Sequence, residues 1–287
     1  MRLAVLSDIH GNYIALQKCM SYIETQGIDT LILLGDYIGE LAYPQSTMEL
    51  LYQLQERYHC IFIRGNKEEY WLDYRTKGVH WAQNCESTIG ILRYAYENLT
   101  DRDLNFFEGM ETTREMVIDQ LPKIVICHGS PERINEDLTP DRENSFASIR
   151  RCKADYILCG HTHVQSIFTV DQKTVWNPGT VGLPYHSNGK TQFMLLNGKG
   201  KSWQTELVSL PYDADRVIAD MQEERLFERA PYWSKITEIA LRTSEISHTH
   251  ILLRAMELCK LESGICRWPQ IPEIYWKRAF EEFEKLS

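Results

Sequence analysis

Five short apolar runs punctuate the N-terminal part of the chain, and each leads directly into a residue type that can bind a metal. Residues 3–6 lead to Asp8-Ile9-His10, residues 31–34 to Gly35-Asp36, and residues 61–63 to Arg64-Gly65-Asn66. Residues 124–127 lead to His128-Gly129, and residues 156–159 to Gly160-His161-Thr162-His163. Near-continuous runs of Ile, Leu and Val suit strands buried on both faces. Amphipathic stretches between them, such as 13–23 and 46–54, suit crossover helices, so the alternation predicts an α/β architecture. In such sheets ligands bind beyond the carboxyl ends of the strands. Residues far apart in the chain are therefore expected to meet at one edge, where the glycines beside Asp36, Asn66, His128 and His161 permit tight turns.

The set at that edge is two Asp (Asp8, Asp36), one Asn (Asn66) and four His (His10, His128, His161, His163). These N and O donors, with no thiolate among them, suit Mn, Fe, Zn, Co or Ni. Seven donors exceed what one tetrahedral ion uses. They fit two divalent metal ions with one shared carboxylate, and Asp36, on a middle strand of the series, is the natural bridge. Each fragment alone is a weak signal; packing does not readily produce all five at the ends of apolar runs. His59 and His80 have no neighbouring donors. His248-Thr249-His250 imitates the His-x-His pattern, but residues two apart on a helix point to nearly opposite sides, so these are read as structural or surface residues.

Composition narrows the function classes. Of 287 residues, 43% are hydrophobic and 25% charged, as in ordinary globular proteins. The net charge of -9, without any Lys/Arg cluster, counts against nucleic acid as the main partner. No run approaches the ~20 apolar residues of a membrane span, and the N-terminus has no signal-like apolar region. The eight scattered cysteines form no CxxC pair, which predicts reduced thiols and a cytoplasmic location.

Past the fifth run, segments 166–170, 174–176, 192–196 and 203–208 read as an antiparallel continuation of the sheet system. From Pro211 the chain reads as helical, with Asp213 as an N-cap, one periodic stretch through Arg229, and breaks at Pro231, Ser247 and Pro269 to Pro272. A boundary near Leu210 is expected, giving a domain of residues 1–210 and a helical C-terminal extension of 211–287. The aromatic segment 67–110 is expected to be helical and to pack on the sheet, with some rings lining the pocket as the alternative. Trp233, Trp268 and Trp276, with Phe227, Phe280 and Phe283, are read mostly as core that docks the extension. A cap over the substrate or an oligomer interface are the alternatives for this tail.

Asp8-x-His10, Gly35-Asp36-x-x-Gly39, Gly65-Asn66, His128-Gly129 and Gly160-His161-x-His163 resemble, in order, the five motifs of the calcineurin-like metallophosphoesterase superfamily. The likeness runs to about Leu210 and is greatest to small bacterial phosphodiesterase-type members, some of which are described as cleaving dinucleoside polyphosphates. It implies a four-layered αββα sandwich of mixed sheets. It implies that Asp8, His10 and His163 hold one metal and Asn66, His128 and His161 the other, with Asp36 bridging. It further implies hydrolysis of phosphate esters or anhydrides, on a small phosphorylated substrate such as a nucleotide, by in-line attack of a metal-bridging hydroxide. One position departs from the pattern: Lys67 stands where family members commonly have His. With an ordinary pKa near ~10.4 a lysine is a sluggish acid, although burial beside two cations lowers that value. Lys67 is thus read either as catalytic or as a solvated helix-start residue. Arg64 is read as a phosphate contact or a surface salt bridge, with Arg133 a weaker candidate of the same type. Asn177-Pro178-Gly179-Thr180 reads as architecture beside the site, and Tyr185 and His186 as residues that could face the cleft. A binding scaffold on the same fold and a nuclease acting on DNA ends are the rival functions; the full set of seven donors argues against the first and the acidic balance against the second.

Overall fold

The computed structural model describes residues 1–79, 81–118 and 120–285, so His80 lies outside the described residues. Two five-stranded mixed sheets stack face to face. The first contains β1 (Arg2–Leu6), β2 (Thr30–Leu33) and β3 (His59–Phe62), with α1 (Tyr13–Ile23) and α2 (Pro44–Arg57) as crossovers. After β3 come α3 (Asn66–Lys77), α4 (Glu86–Glu97) and α5 (Asp101–Glu108). The second sheet follows, with β4 (Thr113–Met116), β5 (Ile124–Cys127), α6 (Glu143–Arg151), β6 (Tyr156–Leu158), β7 (Ser166–Val170) and β8 (Lys173–Asn177). Then β9 (Thr191–Lys199) and β10 (Ser202–Leu210) return to the first sheet. The strand orders are β10-β9-β1-β2-β3 and β4-β5-β6-β8-β7. Parallel pairs run from β1 to the edge strand β3 in the first sheet and through the middle of the second, and β9, β10, β4 and β7 are antiparallel additions.

The apolar runs are continuous because each central strand is covered on both faces. In β1, Leu3 and Val5 point between the sheets while Ala4 and Leu6 point to the outer helices. Ile32 and Leu34 against Leu31 and Leu33 repeat the pattern. On the far side Ile149 of α6 packs over Val125, Ile157 and Val175. The result is helix, sheet, sheet, helix, the layering that the family resemblance implies. The edge strand β4 was not expected: Thr113, Arg114 and Glu115 are exposed or half-buried, so they carry no apolar signal.

Beyond β10 the chain forms α7 (Ala214–Glu223), α8 (Leu226–Arg229), α9 (Pro231–Thr243), α10 (His248–Ser263) and α11 (Glu273–Glu284). The Asp213 side chain caps α7 by accepting from Arg216 N at 2.9 Å. The single periodic stretch expected through Arg229 is instead broken at Arg225, whose φ is +59°. Trp233, Trp276 and Phe280 are buried in the same cluster as the helices on the first sheet, while Trp268, Phe227 and Phe283 pack against it half-buried. Trp276 Nε1 donates to Thr88 Oγ1 of α4 at 3.1 Å, and Glu273 accepts from both Ser87 N (2.8 Å) and Ser87 Oγ (2.6 Å).

The tail also packs closely on Gly90 of α4, where an added Cβ would lie 1.8 Å from the carbonyl oxygen of Arg229. Backbone atoms do not yield as a flexible side chain does. Gly90→Ala is therefore expected to lower folding stability by about 1–3 kcal/mol, the usual cost of overpacking, seen as a lower urea midpoint. An unchanged midpoint would mean the tail does not dock on α4 in solution.

Candidate metal centre

The loops that leave β1, β2, β5 and β6 bring six of the seven predicted donors to one end of the sheets, and the N-terminus of α3 brings Asn66. The backbone there is unusual. Asp8, His10, Asp36, His161 and His163 all have positive φ, between +51° and +65°. That region is sparsely populated by residues other than glycine, although Asp and His enter it more readily than most. Such conformations persist only where the surroundings enforce them, and they concentrate at functional sites. Close loop packing enforces them here: Gly35 has φ +98°, and a Cβ on it would lie 2.4 Å from Gly65 N. Asn177 ties the loops further, donating from Nδ2 to Gly160 O (2.8 Å) and Thr162 Oγ1 (3.0 Å), while Thr180 Oγ1 donates to Asp8 O (2.9 Å). The Asn177 to Thr180 segment is architecture, as its turn residues suggest.

Two groups of donors result, Asp8 with His10 and His163, and Asp36 with His128 and His161. Within each group one ligand atom per residue lies within 4.8 Å of the others. The carboxylate of Asp36 lies between the groups: Oδ2 is 3.6 Å from His10 Nε2, and Oδ1 is 3.5 Å from His128 Nε2. Asn66 Oδ1 lies 3.0 Å from His128 Nε2, which adds it to the second group.

Hydrogen bonding on the outer side of each ring tests whether these groups fit cations. His10 Nδ1 faces Glu40 Oε2 (2.5 Å), His128 Nδ1 faces Leu34 O (2.7 Å), and His163 Nδ1 faces Leu183 O (3.1 Å). Each partner is an acceptor, so Nδ1 carries the proton and Nε2 is left with its lone pair turned inward, the usual arrangement of a metal-ligating histidine. His10 Nε2 and His163 Nε2 are only 3.2 Å apart, with Asp8 Oδ1 3.3 Å from the latter. Asp8 Oδ1 is buried and has no hydrogen-bond partner. Lone pairs this close need a proton or a cation between them. The donor set fits divalent ions.

A family model for the calcineurin-like phosphoesterase superfamily domain matches residues 1–201. The chain belongs to the calcineurin-like phosphoesterases. Membership carries metal-dependent phosphoesterase chemistry in general terms. A curated relative, the uncharacterized protein MJ0912 of Methanocaldococcus jannaschii, is 26% identical over 245 residues, spanning 79% of this chain and 94% of that one. Among solved structures, the hypothetical protein PH1004 of Pyrococcus horikoshii OT3 superposes with a TM-score of 0.71 at 20% identity, covering 86% of this chain and 99% of its own. A metallophosphoesterase from Sphaerobacter thermophilus gives 0.62 at 18% identity, covering 80% and 98%. Both carry the same fold.

The electrostatics of this phosphoesterase site follow from burial and proximity. Burial alone pushes the Asp8 carboxyl up, but His163, His10 and His128 outweigh it and hold it well below the usual range. Burial likewise opposes ionisation of Asp36, yet His128 and His10 bring it down to about 2. For His10 the burial penalty is overcome by Glu40, Asp8 and Asp36, which raise it to about 10; Asp36 and Asp8 raise His128 to about 9. His161, at the open side, is lowered by burial and by its neighbour His128.

Two carboxylates that sequence reasoning did not single out complete the arrangement. Glu68 is fully buried and accepts from Gly65 N (2.8 Å), Asp36 N (2.9 Å) and Tyr37 N (2.8 Å), locking the β2 and β3 loops together. Burial and Asp36 raise its pKa to about 7. Its position three residues after Gly65, at the start of a helix, is the one signal that could have marked it. Glu40 lies between His10 and Lys67, with Oε2 on the ring and Oε1 in a short contact with Lys67 Nζ. Lys67 is buried, and although burial lowers its pKa, Glu40 and Asp36 outweigh that and raise it. It is held charged rather than tuned toward neutrality, and it is not a solvated surface residue.

Arg64 is not among the residues lining the cleft; its Nε pairs with Glu69 Oε1 at 2.8 Å. Arg133 is exposed and paired with Glu136. Tyr185 and His186 do line the cleft, and Tyr185 stacks on His163 at 4.9 Å. His248 is buried and lines it too, with Nε2 2.9 Å from Thr237 Oγ1 and Nδ1 on the Tyr185 hydroxyl; burial lowers it to about 4. His250 is exposed and takes no part in this cleft lining.

Breaking the Lys67–Glu40 pair on one side strands a charge in a buried space. Glu40→Gln, or Lys67→Met alone, is expected to cost about 3–5 kcal/mol of folding stability, whereas the two substitutions combined should recover most of it. Denaturant titration of the four proteins measures the coupling; additive losses would mean the pair is not coupled.

Proposed function

We propose that this chain is a two-ion phosphohydrolase acting on phosphate esters or anhydrides of a small phosphorylated molecule. The observation that carries the reading is Asp36, whose two oxygens each face a different donor group across a shared buried space. Divalent ions held there, of the Mn, Fe, Zn, Co or Ni type, supply Lewis acidity and activate water at neutral pH. The chain's own part is positioning. Asp8, His10 and His163 serve one ion, Asn66, His128 and His161 the other, and Asp36 both. Leu34, Leu183 and Glu40 orient the rings through their Nδ1 protons. The fixed ammonium of Lys67 lines the cleft beside Asp36 and offsets negative charge on a bound phosphoryl group. Its raised pKa favours this electrostatic role over proton donation. The salt bridge of Arg64 to Glu69 favours a structural role for that residue.

We take residues 1–210 as the phosphoesterase domain and 211–287 as an extension that completes its cleft. The eight free cysteines, and the absence among the described residues of any helix long and apolar enough to cross a membrane, agree with a cytoplasmic enzyme. The acidic balance argues against the DNA-end nuclease, and the complete donor set against a catalytically silent scaffold.

Metal analysis of protein purified without chelator is expected to find about two equivalents of divalent metal per chain, as a two-ion site requires. A panel of mono-, di- and anhydride phosphates, assayed with several divalent metals, should reveal turnover. Asp36→Asn and His128→Ala should each reduce that turnover by about 100-fold or more. A metal-free protein that hydrolyses nothing in the panel would instead be the scaffold.

A further inference from the structure

The cleft above the donor groups encloses about 640 Å³, within the range of small-molecule sites. Its two ends differ in kind. At the floor lie His10, Asp36, Asn66, His161 and His163, with Glu40 and Lys67 beside them. The opposite wall comes from the C-terminal extension, beyond the residues matched by the family model. None of the extension residues lining it is Asp, Glu, Lys or Arg. Leu252, Met256 and Trp268 are half-buried there, and Tyr70 and Tyr185 are half-buried on the adjoining sides. Ring contacts run without a gap from the metal centre into this wall. Tyr185 lies 4.9 Å from His163 and 5.9 Å from His248; Trp233 lies 4.4 Å from His248 and 6.1 Å from Trp268. Trp233 also sits 5.9 Å from the Lys67 ammonium, so the wall reaches down to the charged floor.

We infer that the wall formed by Trp268, Met256, Leu252 and Tyr70 is a subsite for the organic part of the substrate, and that this part is a planar, uncharged aromatic group, aryl or nucleobase. This rests on the phosphohydrolase reading for the floor. A second charged phosphate has no Lys or Arg partner on the wall: Arg142, which lies elsewhere on the lining, is already paired with Asp137, and Ser247, His248 and Thr249 offer no fixed charge of that kind. A small alkyl group leaves the rings uncovered. A flat ring buries apolar area and stacks on Trp268 or Tyr70, interactions that tolerate different rings and that matter most where water is excluded.

The test is calorimetric binding of three non-hydrolysable phosphonates to the purified, metal-containing protein: phenylphosphonate, the 5′-methylene phosphonate analogue of adenosine monophosphate, and methylphosphonate. At least one of the two aromatic compounds should bind about tenfold tighter than methylphosphonate. Phenyl alone would identify an aryl site, adenosine a nucleobase site. Trp268→Ala should collapse the aromatic-to-methyl ratio toward one, Trp268→Phe should keep it, and Met256→Ser provides a second variant should the alanine protein not fold. In hydrolysis, Trp268→Ala should lower kcat/KM for a phenyl diester by about the factor lost in binding while leaving a methyl diester little changed, since the leaving-group difference is common to both proteins. Equal binding of all three compounds by a protein that does turn over phosphate esters overturns the subsite and leaves the metal centre standing. Failure of all three to bind, with no turnover, overturns both.

Discussion

Four histidine rings and two carboxylates crowded into one buried space repel one another unless positive charge lies among them. Water cannot relieve the crowding, since Asp8, His10, Asp36, His128 and His163 are nearly inaccessible. The fold spends its most unusual backbone on bringing them together: five donors sit at positive φ, held there by glycine-tight loop contacts and by the Asn177 and Glu68 clamps. Without ions, protons on the histidines supply the positive charge, which is why His10 and His128 are raised rather than depressed by burial. A pocket whose crowded donors need protons or cations among them, and whose outer hydrogen bonds already orient the rings, is preorganised to receive divalent ions.

Lys67 changes the character of that site. A histidine at the start of α3 would titrate near neutrality. The lysine instead brings a permanent charge, and Glu40 both holds that charge and receives the His10 proton. The three residues form one chain from the helix start to a metal-facing nitrogen. Under the proposed function, electrostatic support replaces proton delivery, which places the burden of leaving-group stabilisation on the substrate. On that proposal, phosphoanhydrides and aryl esters, whose leaving groups are good, suit the site better than alkyl esters do.

Much of this was legible in the sequence, for a physical reason. Central strands covered on both faces must be apolar throughout, so β1, β2, β5 and β6 announce themselves, and any polar residue ending such a run is conspicuous. The helix α1, Tyr13–Ile23, falls where its amphipathic pattern places it. What escaped lacks that contrast. The edge strand β4 faces solvent and reads Thr-Arg-Glu-Met. Glu40 and Glu68 are two among 40 acidic residues; the spacing of Glu68 from Gly65 hints at a helix-start contact, but the role of Glu40 comes from tertiary partners that no spacing encodes. The break at Arg225 interrupts a helical period without any proline or glycine.

The C-terminal extension shows why site and fold cannot be separated here. Residues of the extension were expected to be core, and Trp233 and Trp276 are. Trp233 is nevertheless also a wall of the cleft, packed against His248 on one side and within 5.9 Å of Lys67 on the other. A single buried ring therefore couples docking of the extension to the placement of the charged floor. Because α4 receives the extension through Ser87, Thr88 and Gly90, the position of that ring depends on contacts on α4, a helix that contributes no residue to the cleft lining. The candidate donors lie at the ends of the sheets within the residues matched by the family model, whereas Trp233, Leu252, Met256 and Trp268 bring to the same cleft a wall from helices and a loop beyond them.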